Sequence, residues 1–309
     1  MGMTPVALST CWNSYRHQDG YAMLKEIRQL GFPVCELGHA IRFSLWPGIL
    51  KAFEEDLIKI QTLHNFCPVP TSVLRPNPNC FEFSDSRKAM RVAAIRATEE
   101  TIRNAAKFGS KAVVLHLGSA GPDGISGKLE RVYQRGGFLN RAYCDLKVKA
   151  VQQRREAFKK VWPRVKECLD PIVALAGEHG IKLGFEIRED FEEFPNEVEF
   201  AEVLDAFPPQ VVGYWHDFGH AQRKEFLGWH DHIETLARRR DRLFGLHIHD
   251  CRRPQEDHLP LGHGEIQFNA LLPLVPQTAI GVLELAPGTP EEQVIASRHL
   301  WNSYVAASG

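Results

Sequence analysis

Three observations predict an α/β fold, a single (β/α)8 barrel of parallel strands ringed by helices. Eight short β-like runs alternate with helical stretches across 309 residues, the length of one large single-core domain. No Pro/Ser-rich linker or low-complexity segment interrupts them, so residues 1–309 read as one domain. Histidines and carboxylates recur at the ends of the apolar runs, and the strands of a parallel barrel deliver their carboxyl ends to one face. An open doubly wound sheet would need a switch-point crevice and usually a glycine-rich phosphate loop; neither GxGxxG nor GxxxxGK[ST] occurs.

In chain order the strands are expected at 6–9, 33–37, 58–64, 112–116, 182–187, 211–215, 243–249 and 281–285, each a short apolar run. The clearest helices are expected at 86–108, 146–178, 197–206, 230–240 and 291–305. Two connections are unusually long. The one after strand three, 67–83, contains four prolines, and the one after strand four spans about 118–145. Both are expected to rise as loops over the barrel mouth, where long loops shape substrate choice.

A formal net charge of −1 gives no overall attraction to nucleic acid or anionic membrane. Locally, residues 128–166 hold twelve Lys and Arg against three acids, a stretch that reads first as the solvated face of a long helix and second as a seat for phosphate. Tyr133, Phe138 and Tyr143 within it suit a sugar ring as well as a base. Seven scattered cysteines without a CxxC pair point to a reducing compartment rather than a disulfide framework. With no basic leader and no apolar run near the roughly 18 residues of a membrane span, a cytoplasmic location and no membrane partner are expected.

The strongest local signal is Gly213-Tyr214-Trp215-His216-Asp217-Phe218-Gly219-His220, where a strand ends in Asp217 and the turn returns His220 three residues later. Such a pair can present oxygen and imidazole to one pocket; equally, Asp217 can cap the following helix. In Leu246-His247-Ile248-His249-Asp250, strand alternation puts His247 and His249 on one side. Glu256-Asp257-His258 precedes the tight turn Gly262-His263-Gly264, which would fold it back over the strand end. Glu186 and Glu284 each sit among apolar strand residues, where a charged carboxylate needs a cation or donors, such as Arg188 beside Glu186. His64 and His116 close strands three and four. A shared divalent metal is the simplest common reason for this pattern, and Mn, Mg, Co and Zn all tolerate the donors.

In this order, from Gly31-Phe32-Pro33-Val34-Cys35-Glu36-Leu37 to the Glu284 strand, the motifs resemble the xylose isomerase-like TIM-barrel superfamily, which includes sugar isomerases, sugar epimerases and endonuclease IV. The ketose 3-epimerase branch implies one divalent metal on Glu186, Asp217, one histidine of the His247/His249 pair and Glu284, with both glutamates exchanging protons. It also implies that His220 touches substrate, with Arg253 as a further contact. The endonuclease IV branch implies three zinc ions on His64, His116, Glu186, Asp217, His220, His247, His258 and Glu284, plus an aspartate two residues before His258. Here Glu256 stands at that place and Asp257 is the neighbouring substitute.

The expected function is therefore a metal-dependent isomerase or epimerase of a small carbohydrate or sugar phosphate. It works by proton transfer through an enediolate, with Glu186 and Glu284 as acid/base pair and His220, His249, Arg253 and Arg188 as substrate contacts. The alternative is an endonuclease IV-like multinuclear zinc phosphodiesterase with two to three metals, the one reading that makes nucleic acid a partner. A non-catalytic sugar-binding barrel would leave the paired glutamates without a purpose. A homo-oligomer is compatible with all three.

Overall fold

The computed structural model describes residues 5–121, 123–137, 139–254 and 256–308. Eight strands form the barrel: β1 (Ala7–Ser9), β2 (Val34–Leu37), β3 (Lys59–His64), β4 (Ala112–Leu115), β5 (Lys182–Glu186), β6 (Val212–Asp217), β7 (Leu243–Ile248) and, after a two-stranded hairpin β8 (Asp250–Arg252) and β9 (Glu256–Leu259), β10 (Ile280–Leu283). They close in the order β1-β10-β7-β6-β5-β4-β3-β2, every barrel pairing parallel. The helices are α1 (Gly20–Gln29), α2 (Trp46–Glu54), α3 (Lys88–Lys107), α4 (Ile125–Gly136), α5 (Arg141–Glu178), α6 (Phe200–Asp205), α7 (Phe218–Phe226), α8 (His232–Arg239), α9 (Phe268–Leu271) and α10 (Glu291–Ser308). Among the described residues no helix is long and apolar enough to cross a membrane.

Strand alternation sorts the side chains into two cores. Leu8, Cys35, Leu63, Val113, Leu115, Leu183, Phe185, Leu246 and Leu283 face the helices. Ala7, Val34, Ala112, Val114, Trp215, Ile280 and Val282 fill the barrel interior. Trp215 is the plug, and it fits because its two flanking strands carry glycine. A Cβ on Gly184 would come within 2.6 Å of the indole, and one on Gly245 within 2.2 Å. Two residues beyond this layer on the same faces of β5, β6, β7 and β10 come Glu186, Asp217, His247 and Glu284. The indole therefore forms the floor of a polar layer, with its ring 5.3 Å from that of His247.

The connection after β3 is a long segment without helix or strand until α3. The connection after β4 is not simply the expected loop: α4 occupies about half of it, and α5 begins at Arg141 rather than near 146. The amphipathic run Ile125, Ser126 and Leu129 buries itself there with Tyr143 and Phe191. Tyr143 is thus spent in packing, its hydroxyl donating to the Leu227 carbonyl, rather than offered for stacking. Phe138 lies outside the described residues. The basic stretch is mostly solvated, as expected for a helix face, but Arg154 turns inward and is 2% exposed.

On the helix side of β6, three buried imidazoles meet. His216 Nδ1 lies 2.9 Å from the Tyr214 hydroxyl, and His216 Nε2 lies 2.9 Å from His232 Nε2. His230 packs against both rings, with Glu197, Lys224 and Glu225 around the group. The chain Tyr O–H to Nδ1, then Nε2–H to Nε2, is complete only with both His216 and His232 neutral. Burial, followed by the neighbouring imidazoles, pushes the pKa of each well below its ordinary value. The unfolded chain takes up these protons below about pH 6.5 and the native one does not, so stability is full above that pH and falls below it. Replacing His232 with glutamine is expected to flatten the unfolding free energy against pH between 7 and 5.5 by up to about 1.4 kcal/mol per pH unit. His247 and His249, whose raised pKa values act in the opposite sense, are common to both chains and cancel in the comparison. An unchanged slope in urea titrations would refute the neutral assignment.

Candidate metal centre

Glu186, Asp217, His247 and Glu284 converge above Trp215, each with one ligand atom within 4.8 Å of all the others. All four are buried. His247 Nδ1 lies 3.0 Å from Glu186 Oε1, 3.1 Å from Glu284 Oε2 and 3.8 Å from Asp217 Oδ2. Four donors on a tetrahedral ion at about 2.0–2.2 Å stand roughly 3.3–3.6 Å apart, close to the spacings seen. Asp217 fulfils both roles open to it: its Oδ1 accepts the His220 N–H at 2.8 Å as cap of α7, while Oδ2 faces the cluster.

His64 and His116 form a second cluster with Glu186 on the β3–β4 side. Their Nε2 atoms lie 3.2 and 2.7 Å from Glu186 Oε2, so this carboxylate joins the two clusters through different oxygens. His220, His249 and His258 make a third, and His220 also groups with Glu189 and Asp257. The His249 and His258 rings stack at 4.1 Å, and the His258 N–H donates to Asp257 Oδ1 at 2.7 Å. Gly219 makes this possible, since a Cβ there would meet the His249 ring at 2.0 Å and Asp257 Oδ1 at 2.5 Å.

Two expected site residues are not brought in. Glu256 begins β9, about half exposed, and pairs with Arg252 across the hairpin. Strand alternation gives the inward direction to its neighbour Asp257, which lies 3.0 Å from His249 Nδ1 and is flanked by Arg223. Arg253 is exposed, its guanidinium over the Phe226 ring and beside Glu265. Arg188, by contrast, is buried, 3.1 Å from Glu193 Oε1, 3.7 Å from Glu186 Oε1 and 3.3 Å from His220 Nδ1.

Electrostatics bind the set together. Burial opposes charge on His247, yet Glu284, Glu36 and Glu186 outweigh it and hold its pKa well above the ordinary value. Asp217 and Asp257 do the same for His249. Burial favours the neutral form of Glu186, but His247 above all keeps it ionised, well below the usual carboxylate range. His116 is pushed down to about 3 by burial and by Arg188, which leaves it the neutral imidazole a metal needs. Protons on His247 and His249 thus sit between the carboxylates, and a divalent cation bound among these donors would displace them.

Sequence reasoning passed over three participants. Glu36, fully buried at the end of β2, accepts from Thr62 Oγ1 at 2.9 Å and lies 3.4 Å from His247 Nε2. That contact orients the imidazole so that Nδ1 faces the carboxylates. Its signal was present: a lone glutamate in the apolar run Val34-Cys35-Glu36-Leu37, the same pattern as Glu186 and Glu284. Cys11 and His39 had no such pattern, because each lies just beyond its strand, in the turn that follows β1 and β2.

Fold and donor set together define a (β/α)8-barrel protein with a histidine–carboxylate centre at the carboxyl ends of its strands. The chain belongs to the xylose isomerase-like TIM barrel family, whose model matches residues 24–302. Among solved structures, a D-tagatose 3-epimerase-like protein superposes with a TM-score of 0.68 at 18% identity, covering 99% of this chain and 98% of the other. The 3-keto-D-glucoside 4-epimerase YcjR from E. coli superposes at 0.66 with 13% identity, over 96% and 98%. The IolI protein with a bound zinc atom does so at 0.63 with 15% identity, over 99% of each chain. These likenesses are of fold. No curated protein matches the sequence.

Proposed function

We propose that the chain is a divalent-metal-dependent isomerase or epimerase of a small carbohydrate or its phosphate ester. The observation that carries this reading is the pairing of Glu186 and Glu284 at 3.0 and 3.1 Å from one imidazole nitrogen, two ionised carboxylates converging from separate strands. A bound divalent ion supplies polarisation of a carbonyl and its neighbouring hydroxyl. One glutamate then takes a proton from the carbon beside the carbonyl and the other returns one. Delivery to the opposite face of the same carbon gives an epimer; delivery to the former carbonyl carbon, with the neighbouring hydroxyl proton passing to the former carbonyl oxygen, gives an isomer, and neither changes the net oxidation state.

His220 and His249 stand beside the pair to hold substrate oxygens, and the buried Arg188 guanidinium keeps charge balance at the back of the site. A donor set this deeply enclosed suits a small substrate, and sugar epimerases are among the chains that share the fold. The test is solvent-deuterium incorporation into a panel of ketoses and ketose phosphates by metal-loaded protein. Exchange at a carbon next to the carbonyl is expected; a metal-loaded chain that exchanges none of them defeats the reading.

One observation favours a second reading, a multinuclear zinc phosphodiesterase. The His64–His116–Glu186 cluster and the His220–His249–His258 cluster flank the central set, more donors than a single ion uses. Two or three zinc ions per chain together with cleavage of abasic DNA would establish it, whereas zinc-loaded protein that leaves abasic DNA intact returns the case to the isomerase.

A further inference from the structure

We propose that Cys11, His39 and Glu284 form an additional cation position at the barrel mouth, suited to a thiophilic divalent ion of the zinc class. The inference shares with the proposed function the premise that Glu284 is a metal ligand. β1 lies between β10 and β2 in the barrel, so the turns that follow these three strands put the thiol, the imidazole and the carboxylate side by side. Their ligand atoms all lie within 4.8 Å of one another. Cys11 Sγ is 3.6 Å from His39 Nδ1. A tetrahedral zinc ion with Zn–S about 2.3 Å and Zn–N about 2.0–2.1 Å requires an S···N edge of roughly 3.6 Å.

The donors are held in place by their own backbone. The Gly38 N–H donates to Thr10 Oγ1 at 2.8 Å, pinning the end of β2 onto the end of β1. Ser9 Oγ accepts the Cys11 N–H at 3.4 Å. Any Cβ at position 38 would stand 2.4 Å from Cys11 Sγ, so the thiol has its seat because residue 38 is glycine. On the far side the His39 ring meets His64 edge to face at 5.2 Å, which fixes its plane.

The chemistry differs from that of the other clusters, which offer only imidazole and carboxylate. A thiolate favours zinc, cadmium or cobalt over magnesium and manganese. Cys11 and His39 are part-exposed while Glu284 is buried, so a cation reaches this position from the mouth and keeps a coordination site open to solvent or substrate. Glu284 bridges: its Oε2 is also 3.1 Å from His247 Nδ1, so occupancy here bears directly on a glutamate assigned to proton transfer. Binding displaces the thiol proton and leaves the oxidation state of sulfur unchanged.

Cobalt(II) reads the site without any assay of activity. Full-length protein, stripped and reloaded with cobalt, is expected to show a near-ultraviolet thiolate-to-cobalt charge-transfer band besides the visible bands of nitrogen and oxygen ligation. Cys11→Ser should lose the ultraviolet band and one equivalent of bound cobalt while keeping the visible bands, and Cys144→Ser, at an exposed thiol, should change neither. Absence of the band from wild-type protein that shows the visible ones, or its survival in Cys11→Ser, overturns this position and leaves the central site standing. Failure to bind cobalt at all overturns both.

Discussion

Glu186→Gln is expected to abolish turnover and to strip the chain of tightly bound divalent metal. Among the described residues no other side chain belongs to both the central cluster and the His64–His116 cluster. Its two oxygens face different imidazoles, Oε1 towards His247 and Oε2 towards His64 and His116. An amide can offer only one acceptor oxygen, and its NH2 group points hydrogens at whatever nitrogen stands opposite. Loss of the proton-transfer group alone costs about 10²–10⁴-fold in rate, and the loss of a charged ligand comes in addition. Glu284→Gln should be as severe in turnover, and it too removes a ligand from two clusters, the central set and the Cys11–His39 position, while it leaves the His64–His116–Glu186 group whole. Metal analysis beside the deuterium-exchange rate separates these outcomes; a Glu186→Gln protein with full metal content and undiminished exchange would remove the site from consideration. The same pair of measurements distinguishes two adjacent acids. Glu256→Gln should change nothing, since that side chain is half exposed on Arg252, whereas Asp257→Asn should weaken whatever occupies the His249–His258 side.

The barrel was legible because its signals are local and repeated. Each apolar run that ended in histidine or carboxylate became a strand or its immediate exit, and the eight runs pair as a closed parallel sheet. The central four donors were legible for the same reason: an ionisable group in an apolar run is costly, and Glu186 and Glu284 stood out against Phe185 and Leu283. Direction was harder to read. Whether Glu256 or Asp257 turns inward depends on the register of hairpin β8–β9, which pairs Arg252 with Glu256, and register is a tertiary fact. Arg253 illustrates the same limit, since an arginine near a strand end reaches the mouth or the outer surface according to one loop conformation. Cys11 and His39 were illegible singly and become a pair only through the contact of β1 with β2. The connection after β4 reads as loop because its glycines, at 118, 121, 124, 127, 136 and 137, obscure the apolar stripe that α4 buries.

Arg154→Ala is expected to destabilise the fold by about 3–5 kcal/mol, the cost of breaking a buried ion pair from one side. A composition count places this residue in a basic, solvated helix face, yet its guanidinium is enclosed, with Nε 2.7 Å from Glu199 Oε1 and the NH2 nitrogen 2.7 Å from Glu199 Oε2. The remaining hydrogens go to the carbonyls of Ala120, Phe191 and Glu193, so one side chain of α5 clamps the segments that follow β4 and β5. Alanine would leave Glu199 buried without its cation and three carbonyls without a donor. Removing both charges in Arg154→Met/Glu199→Met should therefore recover part of the loss but not all of it, because the carbonyls stay unpaired at about 1–3 kcal/mol each. Urea unfolding of the single and double variants measures both quantities, and a single-variant loss below about 1 kcal/mol would mean that the pair behaves as a surface salt bridge. The effect extends to the metal centre. Glu193, whose carbonyl Arg154 holds, carries the carboxylate that pairs with Arg188, and Arg188 in turn lies against Glu186 and His220. Zinc affinity measured on whatever fraction of Arg154→Ala remains folded should fall below that of wild type. Lys160→Gln on the exposed face of the same helix is expected to leave both stability and metal content unchanged.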